Sequence, residues 1–151
     1  MSEHHCIKKN LHSLIESLDK TKRIIPKIVQ VASIIVEAYK KRRKVIVCGN
    51  GGSAADAQHM VAELMGWYSI KQRRPLGAIA ITTNSSTLTA ISNDANFDIV
   101  FARQIEAITK RGDVVIGIST SGNSKNVINA LKSAKKIGAT TVALTGNTRN
   151  R

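Results

Sequence analysis

His59 and Glu63 stand four residues apart in the run Gly49-Asn-Gly-Gly-Ser53-Ala-Ala-Asp-Ala-Gln-His59-Met-Val-Ala-Glu63. On a helix that spacing puts both side chains on one face, with Asp56 on the same side and Ala54, Ala57, Val61 and Leu64 opposite. An imidazole nitrogen beside a carboxylate suits two chemistries, zinc ligation and proton transfer. The same pair on a solvated helix is an ordinary surface contact worth at most about 0.5 kcal/mol. Taken alone the pair fits the surface reading; its place just beyond a glycine-rich loop argues for the chemical one.

The loop follows Val45-Ile-Val-Cys48, a β-branched run expected of a strand covered on both faces in a parallel sheet. Gly49, Gly51 and Gly52 allow a sharp turn and close approach of backbone N–H groups to a ligand, and Ser53 is expected to cap the next helix with Asp56 three residues on. An anion belongs at such a helix start. Asp113-Val-Val-Ile-Gly-Ile-Ser119-Thr-Ser-Gly-Asn-Ser124 repeats the arrangement, a strand ending in hydroxyls and opening a helix. Plain N-capping needs one such side chain; Ser119, Thr120, Ser121 and Ser124 around Gly122 exceed it. Both loops are expected at carboxyl ends of parallel strands, where open α/β sheets bind ligands. Nucleotide sites fit poorly, because the dinucleotide spacing is incomplete, Ile81-Thr-Thr-Asn84 lacks a ribose-binding acid, and no GKS or GKT follows either loop. A small phosphorylated sugar fits better.

The elements that must hold these loops alternate. Apolar spacing predicts helices over 7–20 and from about Pro26 to 42, forming an N-terminal helical hairpin over 1–43 that is part of the same domain. Strands are expected at 44–49, 76–83, 113–120 and 140–146, with helices at 53–66, near 85–94 and 97–109, and at 123–137. The fold class is therefore α/β, a doubly wound parallel sheet of flavodoxin-like type over 44–151. A chain of 151 residues suffices for one core. No apolar run approaches the roughly 20 residues of a membrane span, and the first residues lack a signal-peptide core, so a cytosolic location is expected. Cys48 is expected in the core and Cys6 at a frayed terminus, without a disulfide. The net charge of +13 raises nucleic acid as a partner. Residues 1–44 hold eleven Lys/Arg against four acids and the remainder twelve against six, so the charge is spread along the chain. The run Lys40-Lys-Arg-Arg-Lys44 reads as a solvated edge at a helix end, or as steering for an anionic substrate. Neither membrane nor nucleic acid is expected as a partner.

From about residue 40 onward the motifs Gly49–His59, Ala62-Glu63-Leu64, Leu88–Asp94, Phe101-Ala-Arg-Gln104 and Gly117–Val127 resemble the phosphoheptose isomerases, single-domain sugar isomerase (SIS) proteins. The resemblance implies interconversion of sedoheptulose 7-phosphate and D-glycero-D-manno-heptose 7-phosphate for heptose of bacterial lipopolysaccharide and surface polysaccharide. It also implies a cytosolic homotetramer with zinc in sites between subunits. On that basis Ser53, Ser119, Thr120, Ser121 and Ser124 hold the phosphate, and Asn50, Gly51 and Gly52 line the sugar. Asn93 and Asp94 meet the sugar hydroxyls from a mobile segment, His59 and Glu63 bind zinc, and Glu63 is the base. The family's remaining zinc ligands, a Gln and a His, come from a carboxyl-terminal strand and helix beyond Arg151. A truncated chain with an incomplete zinc site, low activity and at least dimeric assembly is therefore expected. The alternative is a non-catalytic SIS relative that binds a sugar phosphate or a protein such as a replication initiator; such relatives lack the acid found here at Glu63.

Overall fold

A computed structural model of the chain describes residues 3–146, and the chain divides into two compact units, Met1–Ile34 and Ile35–Arg151. The first unit consists of helix α1 (Glu3–Thr21), a 3-10 turn (Lys22–Ile24) and the first turns of α2 (Ile25–Lys40). The expected hairpin does not form. Thr21 (φ −63°, ψ −28°) and Ile25 (φ −48°, ψ −45°) both hold right-handed helical angles, so no residue reverses the chain. Pro26 is accommodated because it falls in the first turn of α2, where an N–H lacks an intrahelical acceptor anyway. No residue of α1 is buried, and Ile7, Leu11, Leu14, Ile15 and Leu18 form a stripe at helical spacing that is more than half exposed.

The second unit is built on a parallel sheet of four strands, β1 (Val45–Gly49), β2 (Ala78–Ala80), β3 (Val114–Ser119) and β4 (Thr140–Thr145), in the order β2-β1-β3-β4. Val45 is in register with Ala78 on one side and Val114 on the other. Every residue of β1 and β3 is buried, as their β-branched runs require of central strands. Helices α3 (Gly52–Met65), α4 (Ser85–Asp94), α5 (Val100–Ile108) and α6 (Lys125–Ile137) supply the crossovers. Ile46, Cys48 and Val115 share one sheet face and pack with Val100, Phe101 and Ile105 of α5 and Val127, Ala130 and Ala134 of α6. β2, an edge strand paired with β1, runs only Ala78–Ala80, shorter than expected.

At the amino ends of the central strands Asp113 is almost fully buried. It accepts hydrogen bonds from the Lys44 ammonium, the Lys44 N–H (3.1 Å) and the Lys110 N–H (2.8 Å). Burial pushes its carboxyl up, but the Lys44 side chain, the two N–H groups and the Lys44 charge outweigh it and hold the pKa below the ordinary value. Lys44 thus leaves the basic run to join β1 to β3, correcting its assignment to a solvated edge.

The strand order reverses between β1 and β3: the chain leaves β1 for β2 on one side, then crosses to β3 on the other. Such a reversal opens a crevice at the carboxyl ends of the two strands, and both polar loops start there.

Candidate functional site

The first loop turns because Gly51 adopts φ +55°, a conformation that side-chain-bearing residues rarely hold. Gly49 is required for a different reason: a Cβ there would sit 2.6 Å from the Ser53 carbonyl oxygen, so only glycine lets α3 start this close to β1. The capping assignment for Ser53 is corrected. Gly51 occupies the N-cap without a side-chain bond, and Ser53 falls inside the first turn, its N–H bonded to the Asn50 carbonyl at 3.0 Å. The glycine turn puts the N-cap two residues before Ser53, so a Ser53–Asp56 capping box cannot form.

The second loop uses its hydroxyls on one another. Ser119 Oγ lies 2.9 Å from Ser124 Oγ and 3.5 Å from Ser121 Oγ, while Ser121 Oγ accepts the Asn123 N–H at 3.2 Å. Ser124 is the N-cap of α6 but makes no side-chain cap bond, so its hydroxyl is not committed to the helix. Ser119 is buried, whereas Thr120 and Ser121 are exposed. Two helix N-termini and a hydroxyl cluster lie at adjacent strand ends, the kind of donor-rich setting in which an anion is favoured.

The two loops are joined by a contact the sequence reading missed. Asn50 Nδ2 donates to Asn126 Oδ1 (2.9 Å) and Asn126 Nδ2 donates to Asn50 Oδ1 (2.8 Å), while Asn126 Oδ1 also accepts the Val127 N–H (3.0 Å). A polar residue two positions past the N-cap was the only signal, and it does not name a partner 76 residues away.

Along α3, His59 Nε2 lies 3.4 Å from Glu63 Oε1, with side-chain exposures of 75% and 40%. The pairing expected from their spacing is present, on the solvent side. Asp56 is exposed on the same helix. Ser53 and Glu63 are ten residues apart, about 15 Å of helix rise, which the backward lean of helical side chains shortens. Arg73, also unanticipated, closes the end of this helix. Its guanidinium donates to the carbonyls of Glu63 (2.7 Å), Leu64 (3.0 Å) and Gly66 (2.5 Å), a favourable place for a cation. Asn93 and Asp94 end α4, exposed, with Asn93 Nδ2 donating to Asp94 Oδ1 at 3.1 Å. Among the described residues no side-chain hydrogen bond ties Asn93, Asp94, His59 or Glu63 to either anion loop. Among them also, no group of three or more His, Cys, Asp or Glu side chains gathers. His59 and Glu63 are half of a tetrahedral shell, so the described residues of one chain do not hold zinc unaided. Cys48 is fully buried in the core, as expected, and burial pushes its thiol up to about 12.

A parallel sheet whose order reverses between β1 and β3 defines the class as open α/β proteins, which take ligands at the carboxyl ends of their strands. The chain belongs to the SIS domain family, whose model matches residues 9–146, and within it to the phosphoheptose isomerases. It is 62% identical over 122 residues to a probable phosphoheptose isomerase of Thermoplasma acidophilum, covering 81% of this chain and 66% of that protein. It is 60% identical over 119 residues to the phosphoheptose isomerase of Aquifex aeolicus, covering 79% and 62%. The structure of a phosphoheptose isomerase from Neisseria gonorrhoeae superposes with a TM-score of 0.90 at 40% identity, covering 97% of this chain and 76% of that one. The chain therefore spans less than two thirds of the length of the Thermoplasma and Aquifex relatives.

Proposed function

We propose that the protein is an aldose–ketose isomerase that interconverts sedoheptulose 7-phosphate and D-glycero-D-manno-heptose 7-phosphate. The observation that carries this reading is the Ser119–Ser121–Ser124 hydroxyl cluster, left free of capping and facing the Asn50 loop across the strand reversal. The chain's similarity to phosphoheptose isomerases supports the substrate. With Ser53 and Thr120, the cluster would hold the phosphate; Asn50, Gly51 and Gly52 would line the sugar, and Asn93 and Asp94 would meet its hydroxyls.

The exchange moves one proton between neighbouring carbons. Glu63, as base, takes the C1 proton of the ketose to give an enediolate; return of that proton at C2, with the hydroxyl proton passing from O1 to O2 in net, yields the aldose. Zinc is part of the proposal only as an electrophile for the sugar oxygens. His59 and Glu63 would be two of its ligands, with others from outside the described residues or from a second copy. Self-association, as a tetramer or a dimer, is supported by the exposed Ile7, Leu11, Leu14, Ile15 and Leu18 stripe and by the solvent-facing His59/Glu63 pair. No described helix is long and apolar enough to cross a membrane. The reading places the enzyme in the cytosol, supplying heptose for surface polysaccharide.

Incubation with sedoheptulose 7-phosphate, followed by NMR in deuterated water, tests the reaction. The aldose should appear with deuterium at C2, and Glu63→Gln should stop it. Equal turnover by Glu63→Gln would remove Glu63 as base.

A further inference from the structure

The Asn50–Asn126 contact fixes more than the distance between two loops. An asparagine amide has two N–H donors and an oxygen with two lone pairs. Asn126 Oδ1 spends both lone pairs, one on the Val127 N–H and one on Asn50 Nδ2. The backbone N–H of Val127 can pair only with the oxygen, so the first turn of α6 decides which way the Asn126 amide faces. That choice passes to Asn50, because the reciprocal bonds leave its amide one orientation. Asn126 is 3% exposed, which bars water from replacing either bond. Asn50 is only half-buried and keeps one N–H and one lone pair unspent.

We infer that Asn126 is a positioning residue: it orients the Asn50 amide toward the sugar portion of the ligand. The inference rests on the sugar-phosphate reading above and adds to it the group that sets Asn50's donor–acceptor pattern. Inorganic phosphate, held by the hydroxyls, does not depend on that pattern; a sugar phosphate does.

Asn126→Asp is the informative substitution. A carboxylate still accepts the Val127 N–H and suits the first turn of a helix, so α6 is retained. It cannot donate to Asn50 Oδ1, so the reciprocal pair is broken. Calorimetry should show affinity for sedoheptulose 7-phosphate reduced about tenfold more than affinity for inorganic phosphate, one hydrogen bond's worth beyond the repulsion that the new carboxylate brings to both anions. In an Asn50→Ala background the same substitution should cost the two ligands equally, because the sugar-specific part of its effect passes through Asn50. An equal loss for both ligands with Asn50 in place, or an undiminished difference between them in the Asn50→Ala background, would overturn the inference. Side-chain amide exchange gives a readout that needs no ligand. The Asn50 Nδ2 proton facing Asn126 should be protected from solvent in the native protein and lose that protection in Asn126→Ala, which removes its acceptor; fast exchange in the native protein overturns the clamp. Absence of any phosphate binding by the native protein, with the Asn50 amide still protected, would instead sink the sugar-phosphate reading and leave the clamp as a structural tie, without the positioning role inferred for it.

Discussion

Ser119 Oγ lies 2.9 Å from Ser124 Oγ, joining the last residue of β3 to the residue that opens α6. The contact orders two hydroxyls beside a helix N-terminus before any ligand arrives, so less side-chain freedom remains to be lost on binding. It also makes the loop a cooperative donor set, since a phosphate oxygen that engages one hydroxyl polarises the other.

Replacing Ser119 and Ser121 together with Ala should weaken phosphate binding by about 2 kcal/mol, from two lost neutral hydrogen bonds. Isothermal titration of sedoheptulose 7-phosphate checks this. An affinity unchanged by the double substitution would exclude the hydroxyl loop as the phosphate site.

Asp113→Asn should destabilise the fold by about 3 kcal/mol at neutral pH, because it strands the Lys44 ammonium beside a neutral amide. The folded pKa of Asp113 lies below its unfolded value, so its contribution is complete above the unfolded pKa and fades as pH falls through the folded one. Urea titrations should therefore show the two proteins differing most near neutrality and converging toward about pH 2, below the carboxylate range. A gap that widens in acid would contradict the assignment.

Gly49→Ala should cost about 1–3 kcal/mol by overpacking, since its Cβ would press on the Ser53 carbonyl carbon at 2.8 Å and oxygen at 2.6 Å. Gly52→Ala, with nothing within 4 Å of the added carbon, should stay within about 0.5 kcal/mol. Thermal melts of the two variants give the comparison; equal stability would mean that α3 can withdraw from β1.

The apolar stripe of α1 should carry subunit contacts. Leu11→Glu with Leu14→Glu should shift the protein to a smaller species in sedimentation equilibrium while circular dichroism retains the helices of the sheet unit. A native protein that is monomeric at every concentration would defeat the assembly proposal.

The alternation of strands and helices, the buried character of β1 and β3, and the two polar loops were all legible in the sequence, because each depends on local periodicity or on the residues that end a strand. The His59–Glu63 pairing was legible for the same reason, four residues being one helical turn. What failed were features in which a local preference competes with something outside the segment. Pro26 suggested a break between two helices, yet the joint keeps helical angles at Thr21 and Ile25, since a proline in a first turn forfeits no hydrogen bond. Ser53 resembled a cap, yet the approach of α3 to β1 at Gly49 moved the helix start forward. Lys44 looked like one of five solvated cations until the parallel pairing of β1 with β3 set Asp113 beside it. The Asn50–Asn126 clamp and the Arg73 closure of α3 join groups far apart along the chain or across an irregular loop. Their side chains carry no period that betrays a partner, and only the packing of strands and helices decides which amide or carbonyl each one meets.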